Sequence, residues 1–244
     1  MKKFKILDGT TLKLLAMALM LADHSWGIGV LPWPWLTAIG RLAFPIFAFQ
    51  IAEGCAQTHD FWRYFRRMLV FALISEIPFN FMMSGSPADP FAQNVLFTFL
   101  ISMLLIHWMD RIRAKHPDMA AWQELAMIAG MFILGYVLGF AGFVDYFGFG
   151  VAMVLLFAIT RARPYGWLLQ LVGMYFINWV QMGGQDYCWE LFGREIFVPQ
   201  QGLAMLALIP IWMYSGKRGR GGKAMQYLGY ACYPAHIAVL LVIL

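Results

Sequence analysis

Asp23, His24, Arg41, Glu76, Asn94, Asp145, Asn178 and His236 are among the polar or charged residues that stand inside long apolar runs of this chain. In hydrocarbon an ionisable group costs several kcal/mol unless it faces protein or water, so such residues mark sites or helix locks. One pair has a definite register. Ten residues separate Lys13 from His24, and eleven helical steps of about 100° and about 1.5 Å return to nearly the same face after a rise of roughly 16 Å. A single helix face would thus carry a cation at one rim and an imidazole near mid-membrane. A neutral imidazole titrates near physiological pH, so His24 is a candidate general base or nucleophile. The geometry suits a long cofactor with phosphates at one end and a reactive group at the other, as in coenzyme A.

The elements that must position these residues follow from composition. Of the 244 residues, 61% are hydrophobic and 13% are Asp, Glu, Lys or Arg, about half the charge of a soluble domain. A soluble globular domain and a disordered chain are excluded, and continuous apolar runs argue against a barrel. Apolar stretches cover Leu12 to Leu31, Leu36 to Gly54, Phe65 to Met83, Phe91 to Met109, Trp122 to Phe140, Phe143 to Thr160, Tyr165 to Met182, Ile196 to Tyr214 and Ala224 to Leu244. The expected fold is all-α: a polytopic integral membrane bundle of about nine transmembrane helices forming one domain over residues 1–244. The glycine-rich run from Gly135 to Gly150 reads as a tight turn between two helices in preference to a re-entrant segment.

The formal charge of +5 has a topological meaning. Sixteen of the 18 lysines and arginines fall in the N-terminal segment (Lys2, Lys3, Lys5, Lys13) or in alternate loops: Arg63, Arg66 and Arg67; Arg111, Arg113 and Lys115; Arg161 and Arg163; Lys217, Arg218, Arg220 and Lys223. By the positive-inside rule the N-terminus is cytoplasmic and, with nine spans, the C-terminus is outside. Topology accounts for the basic residues, so nucleic acid is not an expected partner, whereas membrane lipids are. On this topology most of those eight residues share the outer half of the bilayer. Arg41 could pair with Asp23, fixing the first two helices together, or with Glu76. Cys55, Cys188 and Cys232 have no paired spacing, and neither a disulfide framework nor a thiolate metal site is indicated.

The segments LADH at 21–24, GRLAFPIFAFQIAEG at 40–54, ALISEIPFNF at 72–81, NVLFTFL at 94–100, YSGKRG at 214–219 and YACYPAH at 230–236 resemble the TraX family over essentially the whole chain. That family's named member is linked to N-terminal acetylation of conjugative pilin, and the family is similar to the broader membrane acyltransferase family three. The resemblance implies acyl transfer from cytoplasmic acetyl-CoA, with no metal, in the bacterial cytoplasmic membrane. In the broader family a basic residue precedes a catalytic His by the interval seen from Lys13 to His24, and an Arg-x-x-Arg motif is matched by Arg63 and Arg66. A terminal Tyr and His motif is matched by Tyr230, Tyr233 and His236. Two features depart from the pattern: the broader family commonly has ten spans, and Pro234 and Ala235 replace an apolar pair before His236.

Acyl transfer needs a base, a group to polarise the thioester carbonyl and a cradle for phosphates. His24 is the expected base. Asp23, Glu76, Asp145 and Asn178 are candidates for positioning, Arg41 and Asn94 for polarising the carbonyl, and His236 for a supporting catalytic role. Lys13, Arg63, Arg66, Arg67 and Tyr233 are the expected cofactor contacts. The acceptor, reached from the membrane or the outer side, is a peptide amine as the resemblance implies, or an amino sugar, a glycan hydroxyl or a small molecule. Two other classes fit the buried charges: a proton-coupled transporter, and a scaffold in which the charges lock helices together.

Overall fold

The computed structural model describes residues 5–161, 163–191 and 193–244. Lys2 and Lys3, expected on the cytoplasmic flank, lie outside the described residues. In chain order the helices are α1 (Gly9–Gly27), α2 (Trp35–Gly40), α3 (Ala43–Gln57), α4 (Phe61–Ser84), α5 (Val95–Lys115), α6 (Ala121–Ala141), α7 (Phe147–Thr160), α8 (Gly166–Tyr175), α9 (Leu208–Trp212) and α10 (Gly222–Ile243). The chain is mostly helical. Among the described residues, five stretches are long and apolar enough to cross a membrane: Trp35–Gln57, Phe61–Ser84, Val95–Lys115, Ala121–Ala141 and Ala224–Ile243.

The other four apolar stretches are more polar, shorter or broken. In α1 the side chains of Lys13, Asp23 and His24 lower the hydropathy of a 19-residue helix. The 14 residues of α7 rise about 21 Å, short of a hydrocarbon core of about 30 Å. Helix α8 has 10 residues and continues as a π-helical segment, Phe176–Met182. The stretch from Ile196 to Tyr214 is the clear correction: it is not one helix, and a short hairpin stands among the helices. Its first residues belong to an antiparallel hairpin of β1 (Asp186–Leu191) and β2 (Arg194–Pro199), paired from Asp186 with Pro199 to Leu191 with Arg194. Aromatic and β-branched residues at Tyr187, Ile196, Phe197 and Val198 favour strand, and Pro199 ends it. A 3-10 stretch, Gln200–Ala207, then leads into α9.

Two compact units are formed. The first combines the chain up to Gln50 with the part beyond Arg161; the second is Ile51–Arg161. Within the second, α6 and α7 form the tight pair expected of the glycine-rich run. A Cβ on Gly139 would lie 2.6 Å from the Gly148 backbone, so the two helices meet backbone to backbone, the contact that drives association in lipid where apolar burial gives no advantage. The turn between them holds Phe143, Tyr146 and Phe147 at φ of 48°, 62° and 46°. Left-handed backbone at bulky residues is costly, and the close glycine packing offsets it.

Within the first unit, α1 and α10 run parallel. Their starts are tied together: Gly9 N donates to the Lys217 carbonyl at 2.8 Å, Ser215 N to the Leu7 carbonyl at 2.7 Å and Thr10 Oγ1 to the Arg220 carbonyl at 2.7 Å. Asp8 caps α1 by accepting from Thr11 N at 2.8 Å. That bond and the Thr11 hydroxyl hold its carboxyl below the usual carboxylate range. Farther along, Lys13 lies against Gly229, where a Cβ would meet its Cδ at 2.9 Å. The helices are still neighbours at their ends, where Gly29 approaches Leu244.

Candidate functional site

The face of α1 that carries Lys13, Met17, Met20 and His24 meets the face of α10 that carries Gly229, Tyr233 and His236. Both sets follow the helical i, i+4, i+7 recurrence. At the start of this seam the Lys13 side chain runs along α10 because Gly229 leaves room for it. Eleven residues on, the rings of His24 and His236 stack with centroids 4.8 Å apart and planes 21° apart. His24 Nδ1 and His236 Nε2 are 2.6 Å apart, a hydrogen bond between imidazoles. His236 Nδ1 lies 2.7 Å from the carbonyl oxygen of Cys232, one turn earlier on α10. Tyr233, 5% exposed, closes the group, with its ring 6.5 Å from His24 and 5.8 Å from His236.

Asp23 and Arg41 form a second, adjoining pair. Arg41 Nη2 donates to Asp23 Oδ1 at 3.3 Å and to Thr37 Oγ1 at 2.7 Å. Gly40 explains how α2 comes so close: a Cβ there would stand 2.3 Å from the Asp23 Cβ. Asp23 therefore binds the second helix and does not orient His24, in line with its position about 100° around α1. The buried Arg41 Nε has no hydrogen-bond partner among the described residues. Asn178, fully buried, donates to the Met174 carbonyl at 3.0 Å and accepts from Gln201 Nε2 at 3.0 Å. It joins the π-helical segment to the 3-10 stretch, so its hydrogen bonds serve packing.

Glu76, Asn94 and Asp145 belong to the second unit. Asn94 is the N-cap of α5, its Oδ1 accepting from Leu96 N at 3.0 Å. Its Nδ2 donates to the Ala72 carbonyl at 2.9 Å and also to Glu76 Oε2. Asp145 lies beside this cap: its backbone N donates to the Gln93 carbonyl at 2.8 Å, and its carbonyl accepts from Thr98 Oγ1 at 2.5 Å. Asn80, one turn beyond Glu76, is 2% exposed and sits beside the carboxylate. Glu76 Oε1 and Asn80 Oδ1 are buried without a hydrogen-bond partner among the described residues.

The arginines of the second unit occupy the first turns of α4. Arg63 and Arg66 are exposed, and Arg66 Nε donates to the Trp62 carbonyl at 3.3 Å. Arg67 turns back over the Tyr64 ring, with its guanidinium carbon 6.0 Å from the centroid. Tyr64 in turn packs on Gly54, where a Cβ would lie 2.8 Å from the phenol oxygen. Close by in the chain, Glu53 accepts from Gln57 at 2.8 Å and from Arg161 Nε at 2.5 Å.

The structure thus brings His24, His236 and Tyr233 together, pairs Asp23 with Arg41 and joins Glu76 to Asn94. Residue types alone did not point to the Cys232 carbonyl, Thr37, Gly40, Asn80 or Gln201. For Asn80 a signal was present, since it follows Glu76 by four residues and so shares its helix face. Thr37 likewise precedes Arg41 by four residues; Cys232 acts through its backbone, and Gly40 and Gln201 act through contacts farther off in the chain.

The family model described as "TraX protein" matches residues 8–244. One relative is the protein described as "Probable fimbrial assembly protein FimC, serogroup H1" from Dichelobacter nodosus, 26% identical over 255 residues that take in 94% of this chain and 92% of that protein. No solved structure matches the chain. With the match running from the capping Asp8 through the α1–α10 seam to the last residue, the chain belongs to the TraX family.

Proposed function

We propose that the chain is a membrane acetyltransferase that takes an acetyl group from cytoplasmic acetyl-CoA and passes it to an amine or hydroxyl of an acceptor reached from the membrane or the outer side. The observation that supports this best is the α1–α10 seam, with Lys13 at its start and the His24–His236 pair eleven residues farther along. The roughly 16 Å between them suits a cofactor whose phosphates stay near the aqueous rim while its thioester reaches the imidazole. Family membership and the relative's description as a fimbrial assembly protein favour a surface-appendage subunit as acceptor, and an N-terminal peptide amine is the acceptor group we favour.

Each group then has a task. Lys13 and the exposed basic loop Lys217, Arg218 and Arg220, which is tied to the start of α1, would neutralise phosphates. His24 would take the acceptor proton. Arg41, held by Asp23 and Thr37, keeps one buried N–H to offer to a developing oxyanion. The proposed orientation places the N-terminus in the cytoplasm of a bacterial inner membrane. Because α1 and α10 run parallel, an odd number of crossings follows if both span.

Titration of the purified full-length protein in nanodiscs with CoA tests the cofactor assignment. Binding should be saturable, and Lys13→Gln should weaken it about tenfold, with less dependence on salt than wild type. Unchanged affinity and salt dependence in Lys13→Gln would contradict it.

A further inference from the structure

We propose that His236 is a positioning residue that fixes the tautomer of His24 and so leaves the basic lone pair of the reaction on His24 Nε2. The argument is a count of donors and acceptors along one chain of hydrogen bonds. A backbone carbonyl only accepts, so the 2.7 Å contact with the Cys232 oxygen requires a proton on His236 Nδ1. A neutral imidazole has one N–H, so His236 Nε2 is then an acceptor. Its partner at 2.6 Å, His24 Nδ1, must supply the proton of that bond. The second nitrogen of His24, Nε2, is left with its lone pair, and no hydrogen bond among the described residues engages it. The Cys232 carbonyl, which carries no side-chain chemistry, thus sets the protonation pattern of a ring on another helix.

Pro234 lies inside α10 and has no N–H, so the helix lacks the backbone bond that residue 234 would donate to the Tyr230 carbonyl. Both rings remain half-buried or buried, and Tyr233 covers them. Unlike a carboxylate, a neutral imidazole at this position holds the ring of His24 without holding it charged.

The step, which rests on the acetyltransferase reading, balances as follows. The acceptor N–H or O–H bond breaks and its proton passes to His24 Nε2. The acceptor atom bonds to the acetyl carbon, and the carbon–sulfur bond of acetyl-CoA breaks. The departing thiolate takes the proton from His24 Nε2 and leaves as the thiol. His24 Nδ1 keeps its proton toward His236 throughout.

Nitrogen-15 NMR of histidine-labelled full-length protein in nanodiscs reads the tautomer without any turnover. His24 should be protonated at Nδ1 in wild type, and should become a mixture of tautomers in His236→Ala. In an acetyl-transfer assay the same variant should lose about 100-fold in kcat, with KM for acetyl-CoA unchanged. His236→Gln, whose amide oxygen can accept from His24 Nδ1, should recover about tenfold of that loss. His24 protonated at Nε2 in wild type, or His236→Ala turning over at the wild-type rate, would overturn the assignment. The two readouts separate the failures: a correct tautomer with no transfer condemns the acetyltransferase reading, and a His24-dependent transfer with the other tautomer condemns the role of His236.

Discussion

A single asparagine shows how much a polar residue in an apolar chain can hold together. Asn94 caps α5, ties it to the Ala72 carbonyl of α4 and saturates one oxygen of Glu76. Replacing it with alanine removes a cap worth about 1 kcal/mol and takes a side-chain donor from the Glu76 carboxylate, a loss of about 1–3 kcal/mol. Asn94→Ala should therefore lower the thermal midpoint of the protein in detergent by far more than Gln57→Ala, which loses one exposed contact to Glu53. Equal midpoints would mean that the Glu76 cluster contributes nothing. Glu76→Gln keeps an oxygen toward Asn94 and should fold like wild type. His24 was identifiable in the sequence because its spacing from Lys13 set a helix face and because it falls in a segment that resembles the family. Which residue would meet it was not, because His236 lies 212 positions away and its pairing depends on how the last helix returns to the first.

At the scale of elements, glycine decides which helices touch. A Cβ at Gly40 would collide with Asp23, and one at Gly139 with the Gly148 backbone. A Cβ at Gly27 or Gly130 would meet nothing beyond its own helix within 4 Å among the described residues. Gly40→Ala and Gly139→Ala should each destabilise by about 1–3 kcal/mol, whereas Gly27→Ala and Gly130→Ala, both in helices, should be neutral or slightly stabilising. Midpoints that fail to separate these pairs would mean that the helices are not in that contact. The tight α6–α7 turn was legible from glycine spacing. The hairpin was not: Ile196, Phe197 and Val198 are as apolar as a helix span requires, and only their pairing with β1 distinguishes strand from helix.

At the scale of the whole molecule, composition settled the helical class, while the number of crossings rests on topology. The proposed orientation is checked by the termini and by Cys188. The parallel run of α1 and α10 puts the chain's two ends on opposite faces of the membrane if both helices cross it. Reporter fusions should place the N-terminus in the cytoplasm and the C-terminus outside. Cys188, exposed on β1, should react with a membrane-impermeant maleimide in intact cells, since the hairpin falls in an outer loop on this topology. Both ends on one side would exclude an odd count. A proton flux in sealed vesicles without CoA would turn the buried charges toward transport, and would leave the seam without a role in acyl transfer.

The central claim is that His24 carries acetyl transfer. Its most direct test is transfer of radiolabelled acetyl from acetyl-CoA, by full-length protein in nanodiscs, to a peptide with a free N-terminal amine, with glucosamine and a glycan as further acceptors. Label should reach at least one acceptor, and His24→Ala should reduce the rate by at least about 100-fold while still binding CoA. Transfer at the wild-type rate by His24→Ala, or no transfer to any of these acceptors by a wild-type protein that binds acetyl-CoA, would contradict the account.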